Sequence, residues 1–365
     1  MVLDNAFKPD LRVKKEIGIL HKKGFDINLL CWDRDSNLPK EENINGIKIK
    51  RFKIRTEQQL GINQIKFLLR FYVVVFKYIF VSTDQFNFIW VHDYPVLLLG
   101  IILKLLLQIP LIYDAHEIYW LMEYEKYPFY IRSFLKYSEI LFEQFVDKFI
   151  TVNELRYRYY KKYYRKKIYI GGNWYAPVRL KRESNSKQSI ASKKRFTIGY
   201  IGILSKSREL DLLLELAKKR QEISIIIAGK GVEEDYLKML SSGVKNVKFL
   251  GWIENIYSIL SKVDALYYVL NDEKVYSHWN SPNALYLAIA TNIPLITSNL
   301  GESGAVIERV NPQILLKKNS MNELLRVVSL LQDKDFYTSL KKKMLPLQKK
   351  YNLERIEEAI SSIFS

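Results

Sequence analysis

Short apolar runs alternate with longer amphipathic stretches twice along this chain, once on each side of a segment that loses all periodicity. That alternation marks parallel strands, because each needs a long crossover, usually a helix, to reach its neighbour. It predicts an α/β protein. At 365 residues the chain is about twice a typical domain, so two domains are expected, at 1–172 and 195–346. Between them, 173–194 is rich in serine, lysine and arginine and reads as a linker.

In the first half, residues 10–24 read as an amphipathic helix ended by glycine and 25–32 as a strand. Residues 47–52 read as another strand, whose alternation suggests a sheet edge. Only Met1, Val2 and Leu3 remain for a strand ahead of the first helix. That is short for the central strand of a doubly wound sheet, so the start is expected to be clipped or misassigned. Residues 65–81 form a helical pattern in which Arg70 and Lys77 share one face of an otherwise apolar cylinder. Strands at 88–91 and 110–113 flank a helix at 95–107 and end in His92-Asp93-Tyr94-Pro95 and Asp114-Ala115-His116-Glu117. Open parallel sheets bind ligands beyond the carboxyl ends of their strands, so these polar strand ends are the first candidate site. A helix at 131–146 and a strand at 148–152 follow.

The second half opens with a strand at 196–202 and a helix at 210–220, then a strand at 224–228 and the turn Gly229-Lys230-Gly231. Next come a helix at 233–240, a strand at 247–250, Gly251-Trp252-Ile253, a helix at 256–261 and a strand at 265–269. In the last full unit Ser281 is a good helix N-cap and Pro282 suits the first turn. Leu285, Ala288 and Ile289 share an apolar face, and Asn292 can take the left-handed cap that ends a helix. Leu295-Ile296-Thr297 reads as a strand buried on both faces, and 299–304 as a second glycine-bearing loop. Helices at 321–331 and 353–364 complete the pattern: two Rossmann-like domains facing a cleft. The start of the 281–290 helix offers N–H groups and a positive dipole end to an anion. Any α/β protein contains such a start, so the surroundings must decide.

Composition narrows the chemistry. Net charge is +18, which favours an anionic partner without choosing among nucleotide, nucleic acid and lipid surface. Residues 156–167 hold seven basic residues, five tyrosines and no acid. A solvated helix face over packed tyrosines ranks first there, an anionic membrane interface second and nucleic acid third. A single cysteine, Cys31, excludes an intrachain disulfide and fits a reducing, cytoplasmic setting. None of the four histidines makes a His-x-x-x-His pair, so no metal site is expected. No signal peptide is read at the start. The most apolar run, 95–113, is broken by Lys104, Gln108 and Pro110, so it reads as a buried helix plus a strand, not a membrane span.

Taken in order, these pieces resemble the retaining glycosyltransferases of family 4, glycosyl transferases group 1, which have the two-domain GT-B fold. The resemblance is carried by 10–16 at the first helix, Tyr113 to Glu117, 198–211, 227–231, 249–253, and Ser281-Pro282-Asn283 with 293–298, and covers nearly the whole chain. It implies a C-terminal domain that holds a sugar nucleotide and an N-terminal domain that faces the acceptor. Residues 347–365 would cross back to the first domain. Gly202 would let the backbone approach the donor diphosphate, with Arg208 as the first cationic candidate and Lys206 as the second. Ser281, Pro282, Asn283 and Ala284 would place a helix start on the same phosphates. Gly229, Lys230 and Gly231 would shape a turn at the cleft, and Trp252 would lie near the nucleotide base. His116 would position hydroxyls at the sugar and acceptor end, against the alternative of a capping histidine. Glu117 and Asp114 are its companions. His92 and Asp93 are read as an outer layer, and His278 as reaching the sugar or lying in a surface loop.

The sequence departs from the family at named positions. Trp279 and Leu287 stand where two glutamates usually hold the sugar nucleotide, Ala284 where a variant carries lysine, and Asn292 where glycine is usual. The resemblance therefore implies transfer of a sugar from a nucleoside-diphosphate donor to a hydroxyl acceptor (a glycan, polysaccharide or lipid-linked acceptor), with retention and without a metal or other cofactor. The alternatives are a non-catalytic relative acting as a nucleotide binder or partner subunit, and a sugar-nucleotide epimerase. An anionic membrane surface is a further expected partner, and a cytoplasmic location peripheral to the membrane follows.

Overall fold

The computed structural model describes residues 1–8, 10–56, 64–82, 85–122, 127–180, 195–273 and 275–364. The chain divides into two compact units, Met1–Asn173 with Arg355–Ser365, and Trp174–Glu354. Residues 181–194 of the expected linker lie outside the described residues.

The first unit is built on eight strands: β1 (Val2–Leu3), β2 (Asn28–Asp33), β3 (Glu41–Ile44), β4 (Ile47–Lys53), β5 (Ile89–His92), β6 (Leu111–Ala115), β7 (Lys148–Thr151) and β8 (Ile168–Ile170). Their spatial order is β3-β4-β2-β1-β5-β6-β7-β8, and every pairing is parallel except β3 with β4. The two-residue β1 stands at the centre, with Leu3 in register with Cys31 on one side and His92 on the other. Its brevity costs little, because both residues are buried between neighbours that supply the ladder.

The expectation that residues 47–52 form an edge is corrected. A hairpin covers that edge with β3, and Asn45 and Gly46 turn it with φ of 51° and 87°. Two successive positive φ values are what a type I′ turn requires, and Asn-Gly is its preferred pair. The polar Glu41 and Glu42 hid the strand, while the turn dipeptide announced it.

The second unit adds β9 (Phe196–Ile201), β10 (Ile223–Ala228), β11 (Val247–Gly251), β12 (Ala265–Tyr268), β13 (Leu295–Ser298) and β14 (Leu315–Leu316). All are parallel, in the order β11-β10-β9-β12-β13-β14. Numbered within the unit this is 3-2-1-4-5-6, the doubly wound arrangement whose order reverses beside its first strand. Asn292 ends the helix Asn283–Thr291 with φ of 53°, and β13 is buried on both faces, as its apolar sequence implies. Residues 299–304 are corrected: Gly301 opens a helix, Gly301–Val310, in place of a loop. A further helix, Lys334–Lys350, continues through Pro346 and was not read from the sequence.

The helix Leu353–Phe364 belongs mainly to the first unit. Phe364 packs against Phe25 and Phe88 at centroid distances of 4.6 and 4.9 Å, and Tyr169 donates to Ser362 O at 2.9 Å. Its inner face is Ile356, Ile360 and Ile363, all buried. Truncating Ile360→Ala removes buried methylenes and leaves a cavity. The expected loss is about 2–4 kcal/mol in chemical unfolding of the first unit; a loss well below 1 kcal/mol would show that this helix does not complete the core.

Candidate functional site

Polar groups gather at strand ends in each unit. In the first, the parallel register sets His92 beside Asp114 at the ends of β5 and β6. Asp114, expected just past its strand, lies inside β6 and is fully buried. A buried carboxylate needs several partners. Arg12, on the buried face of the helix Leu11–Lys22, pairs with Asp114 Oδ1, and its Nε donates to Glu16 at 3.1 Å. His92 Nδ1 lies 3.4 Å and His116 Nε2 3.3 Å from Asp114 Oδ2, and the two ring nitrogens are 3.2 Å apart.

Asp93 takes φ of 67°, a conformation that costs a non-glycine residue strain. Its side chain accounts for it: Oδ1 accepts from His116 N at 2.9 Å, and Oδ2 lies 3.5 Å from His116 Nδ1. His92 and Asp93 thus form a layer that holds His116 directly. From the helix Glu154–Tyr160, the buried Arg156 pairs with His116 O and Glu117 Oε2. Tyr160 OH donates to Glu117 O at 2.9 Å. Arg156 therefore leaves the solvated basic run in which the sequence placed it.

These contacts set the charges. Burial opposes ionisation of Asp114, yet Arg12 and His116 hold its pKa well below the usual range. Burial also opposes a charged His116, but Asp93 and Asp114 outweigh it and, against Arg12, keep the pKa up at about 9. Burial pushes Asp93 up to about 7 and lowers His92. At neutral pH His116 is a cation whose Nδ1 faces Asp93 and whose Nε2 faces Asp114 and His92, so it is not poised to act as a base. Only 17% of its side chain is exposed, against 2% for His92 and none for Asp114. The His92, Asp114 and His116 ligand atoms lie within 4.8 Å of one another, spacing that a cation could span. Arg12 already occupies the other oxygen of that carboxylate, so the charge is balanced by a guanidinium and an imidazolium.

In the second unit the loops after β9, β10 and β11 interlock through their backbones. Gly202 N donates to Ala228 O at 3.0 Å, Leu204 N to Lys230 O at 3.0 Å, and Gly229 N to Gly251 O at 2.8 Å. A Cβ on Gly229 would fall 1.8 Å from Gly202 O, and one on Gly231 2.1 Å from Leu204 O. These glycines are required by the crossing of two backbones. Trp252 stands 60% exposed beyond β11, with Ile203 and Val232 exposed at the neighbouring loop tips. Lys206 and Arg208 lie in a short 3-10 turn, with Lys206 and Lys230 exposed.

Tyr268 links two parts of this unit that the sequence could only place separately. The Arg208 guanidinium lies over its ring at 4.9 Å, and its hydroxyl donates to Asn280 Oδ1 at 2.9 Å. Asn280 immediately precedes Ser281. Ser281 itself is corrected: it does not cap the helix but donates to buried Glu302 at 2.5 Å. Pro282 takes the N-cap position, so no side chain caps the helix that starts at Asn283, followed by the buried Ala284. His278 is exposed in the preceding 3-10 turn. Tyr268, Asn280, Glu302, Arg12 and Arg156 were not singled out from the sequence. Arg12 and Glu16 carried a signal, being polar residues i and i+4 among the apolar positions of an amphipathic helix.

Residues 195–333 match the family model described as glycosyl transferases group 1. Among curated proteins there is no match. Over the whole length the chain is similar to sucrose-phosphate synthase (tll1590) from Thermosynechococcus elongatus, at 14% identity and a TM-score of 0.77, covering 100% of this chain and 97% of that one. It is similar also to Anabaena Alr3699/HepE, solved in complex with UDP-glucose, at 15% identity, TM-score 0.68 and coverage of 100% and 98%. WaaG, a glycosyltransferase involved in lipopolysaccharide biosynthesis, matches at 12% identity, TM-score 0.64 and coverage of 100% and 99%. The fold of the chain is GT-B.

The cluster around His116 makes stability depend on pH. Its folded pKa of about 9 lies above the ordinary 6.5, so the folded state holds a proton the unfolded chain has released. That contribution is complete below about 6.5 and is lost as pH rises to about 9, amounting to at most about 3 kcal/mol. Asp93, raised to about 7, adds the same sign at lower pH. Chemical unfolding followed from pH 6.5 to 9 should show stability falling, and His116→Gln should flatten the fall. Parallel pH profiles for the two proteins would rule out this assignment of charge.

Proposed function

We propose that this chain, with its GT-B fold and a second unit matching glycosyl transferases group 1, moves a sugar from a nucleoside-diphosphate donor to a hydroxyl acceptor. The observation that carries the reading is the link in the second unit from Arg208 through Tyr268 to Asn280, just ahead of a helix start that no side chain caps, with the closely packed loops at Gly202, Gly229 and Gly231 in the same unit. Transfer leaves negative charge on the departing diphosphate, and fixed N–H groups and a forked cation stabilise it without reorganising. Trp252, with Ile203 and Val232, offers an apolar and aromatic contact for the base. Structures of HepE with UDP and UDP-glucose support a uridine donor.

In this reading the partly exposed His116 helps position hydroxyls at the sugar or acceptor end, with Asp114, Asp93 and His92 fixing its ring and Glu117 held by Arg156. Because the ring is a cation, retention at the anomeric carbon must draw its base from elsewhere, and the departing phosphate is the available one. Transfer is proposed to need no metal, and the acceptor to be a glycan, polysaccharide or lipid-linked hydroxyl met at the cytoplasmic side of a membrane. No helix among the described residues is long and apolar enough to cross one.

A second reading has its own observation. Leu287, where the family carries a glutamate, is 4% exposed in a helix buried along most of its length, and Ala284 cannot contact a phosphate through its side chain. A chain that keeps the Arg208 link and the uncapped helix start and lacks turnover would be a nucleotide-binding partner subunit.

Melting temperature followed across a panel of nucleoside diphosphates tests donor binding. Arg208→Ala should weaken diphosphate binding about tenfold to a hundredfold and leave the bare nucleoside nearly unchanged. Arg208→Lys should restore part of the loss, because a point charge replaces a forked donor. Equal weakening of nucleoside and nucleotide would mean only that the Arg208–Tyr268 stack had loosened. Unchanged diphosphate affinity would remove Arg208 from the site.

A further inference from the structure

More than half of the large apolar side chains that stand exposed among the described residues belong to three helices of the first unit, Ile65–Val81, Leu97–Leu107 and Phe129–Glu143. The crossovers from β4 to β5, β5 to β6 and β6 to β7 all run in one direction, so right-handed connections place these helices on one face of the sheet. Tyr72 OH donates to Pro95 O at 2.5 Å, joining the first helix to the start of the second.

On the first helix Ile65, Leu69, Val73 and Phe80 recur at helical spacing, each more than half exposed. On the third, Tyr130, Phe134, Tyr137 and Leu141 form a stripe between 57% and 71% exposed. That helix is inverted: its aromatics face outward, while its two acids, Glu139 and Glu143, are 1% exposed. Burial raises the Glu139 pKa to about 8 and lifts Glu143 well above the usual range. A helix that hides its carboxylates and shows its aromatics is arranged for a partner other than water.

Charge identifies the partner. The three helices carry no exposed acid, while Lys66, Arg70 and Lys77 stand exposed among the apolar residues of the first. At the far end of the third helix Lys104 Nζ donates to Phe145 O at 2.8 Å and Lys166 Nζ to Val146 O at 3.0 Å. Lys166 thus sets the exposed basic residues of 161–167 at the C-terminal end of that helix. Apolar and aromatic groups among basic ones, without acids, complement an anionic lipid interface: rings enter the acyl boundary and long basic chains reach headgroup phosphates.

We propose that this three-helix face lies on the surface of an anionic lipid bilayer. It gives a location to the surface attachment that the net charge of +18 suggests, and it does not depend on the transfer activity.

The test is flotation of the full chain with vesicles of phosphatidylcholine alone or mixed with phosphatidylglycerol. The wild type should bind the mixed vesicles, less at higher salt, and the zwitterionic ones weakly. Phe134→Ser with Leu141→Ser should weaken binding about tenfold or more. Lys66→Gln with Arg70→Gln and Lys77→Gln should weaken it about fivefold per charge and reduce its salt dependence. Both variants change exposed positions and should melt as the wild type does; should the first fail to fold, the second alone decides. Three results would overturn the proposal: a wild type that ignores anionic vesicles at low salt, folded variants that bind as tightly as it does, or a dimeric wild type that the serine variant makes monomeric without changing vesicle binding. The last would assign the face to a second copy of the chain.

Discussion

The polar architecture of the first unit depends on one carboxylate. Asp114 is buried inside a central strand, where an uncompensated charge could not persist. Arg12 reaches it from the first helix, His92 from the adjacent strand and His116 from the loop beyond. Each partner is in turn fixed: Arg12 by Glu16, His116 by Asp93, and the 116–117 loop by Arg156. Breaking a buried pair by removing one member typically costs about 3–5 kcal/mol. The arrangement trades stability for position, and the group it positions is the His116 imidazolium, whose ring is partly exposed.

The second unit reaches a comparable result with backbone in place of charge. Its three loops cross so closely that glycine is the one residue type that fits at Gly229 and Gly231. Tyr267 and Tyr268 then tie those loops to the next strand end, Tyr267 by donating to Glu209 O at 2.7 Å and Tyr268 by linking Arg208 and Asn280. These loops are thus held by main-chain hydrogen bonds and tyrosine hydroxyls, where the first unit relies on an ionic cluster.

Much of this was legible in the sequence, for identifiable reasons. The helices Ile65–Val81 and Leu353–Phe364 have the bounds their periodicity implies, because long amphipathic patterns admit few alternatives. The polar ends of β5 and β6 were found because apolar strands end abruptly in ionisable residues. What stayed hidden was set by partners distant in sequence. Arg12 lies 102 residues from Asp114, and Arg156 lies 40 from His116; no local pattern encodes such pairs. Arg156 was misread as solvated because a basic run looks uniform until one member turns inward. Gly301 and Gly304 resembled a loop because glycine usually marks one. Here their missing side chains admit neighbouring backbone, since a Cβ on Gly301 would fall 2.7 Å from Asn280 O.

The return of residues 355–364 to the first unit has a consequence for biosynthesis. Phe364 contributes to the same aromatic cluster as Phe25, Phe88 and Trp90, so this core joins segments that the whole second unit separates along the chain. During translation the second unit has its own sheet available before that helix emerges, whereas the first must wait with part of its apolar surface uncovered. The unit synthesised first is thus the one completed last. Until then its apolar surface is exposed to aggregation.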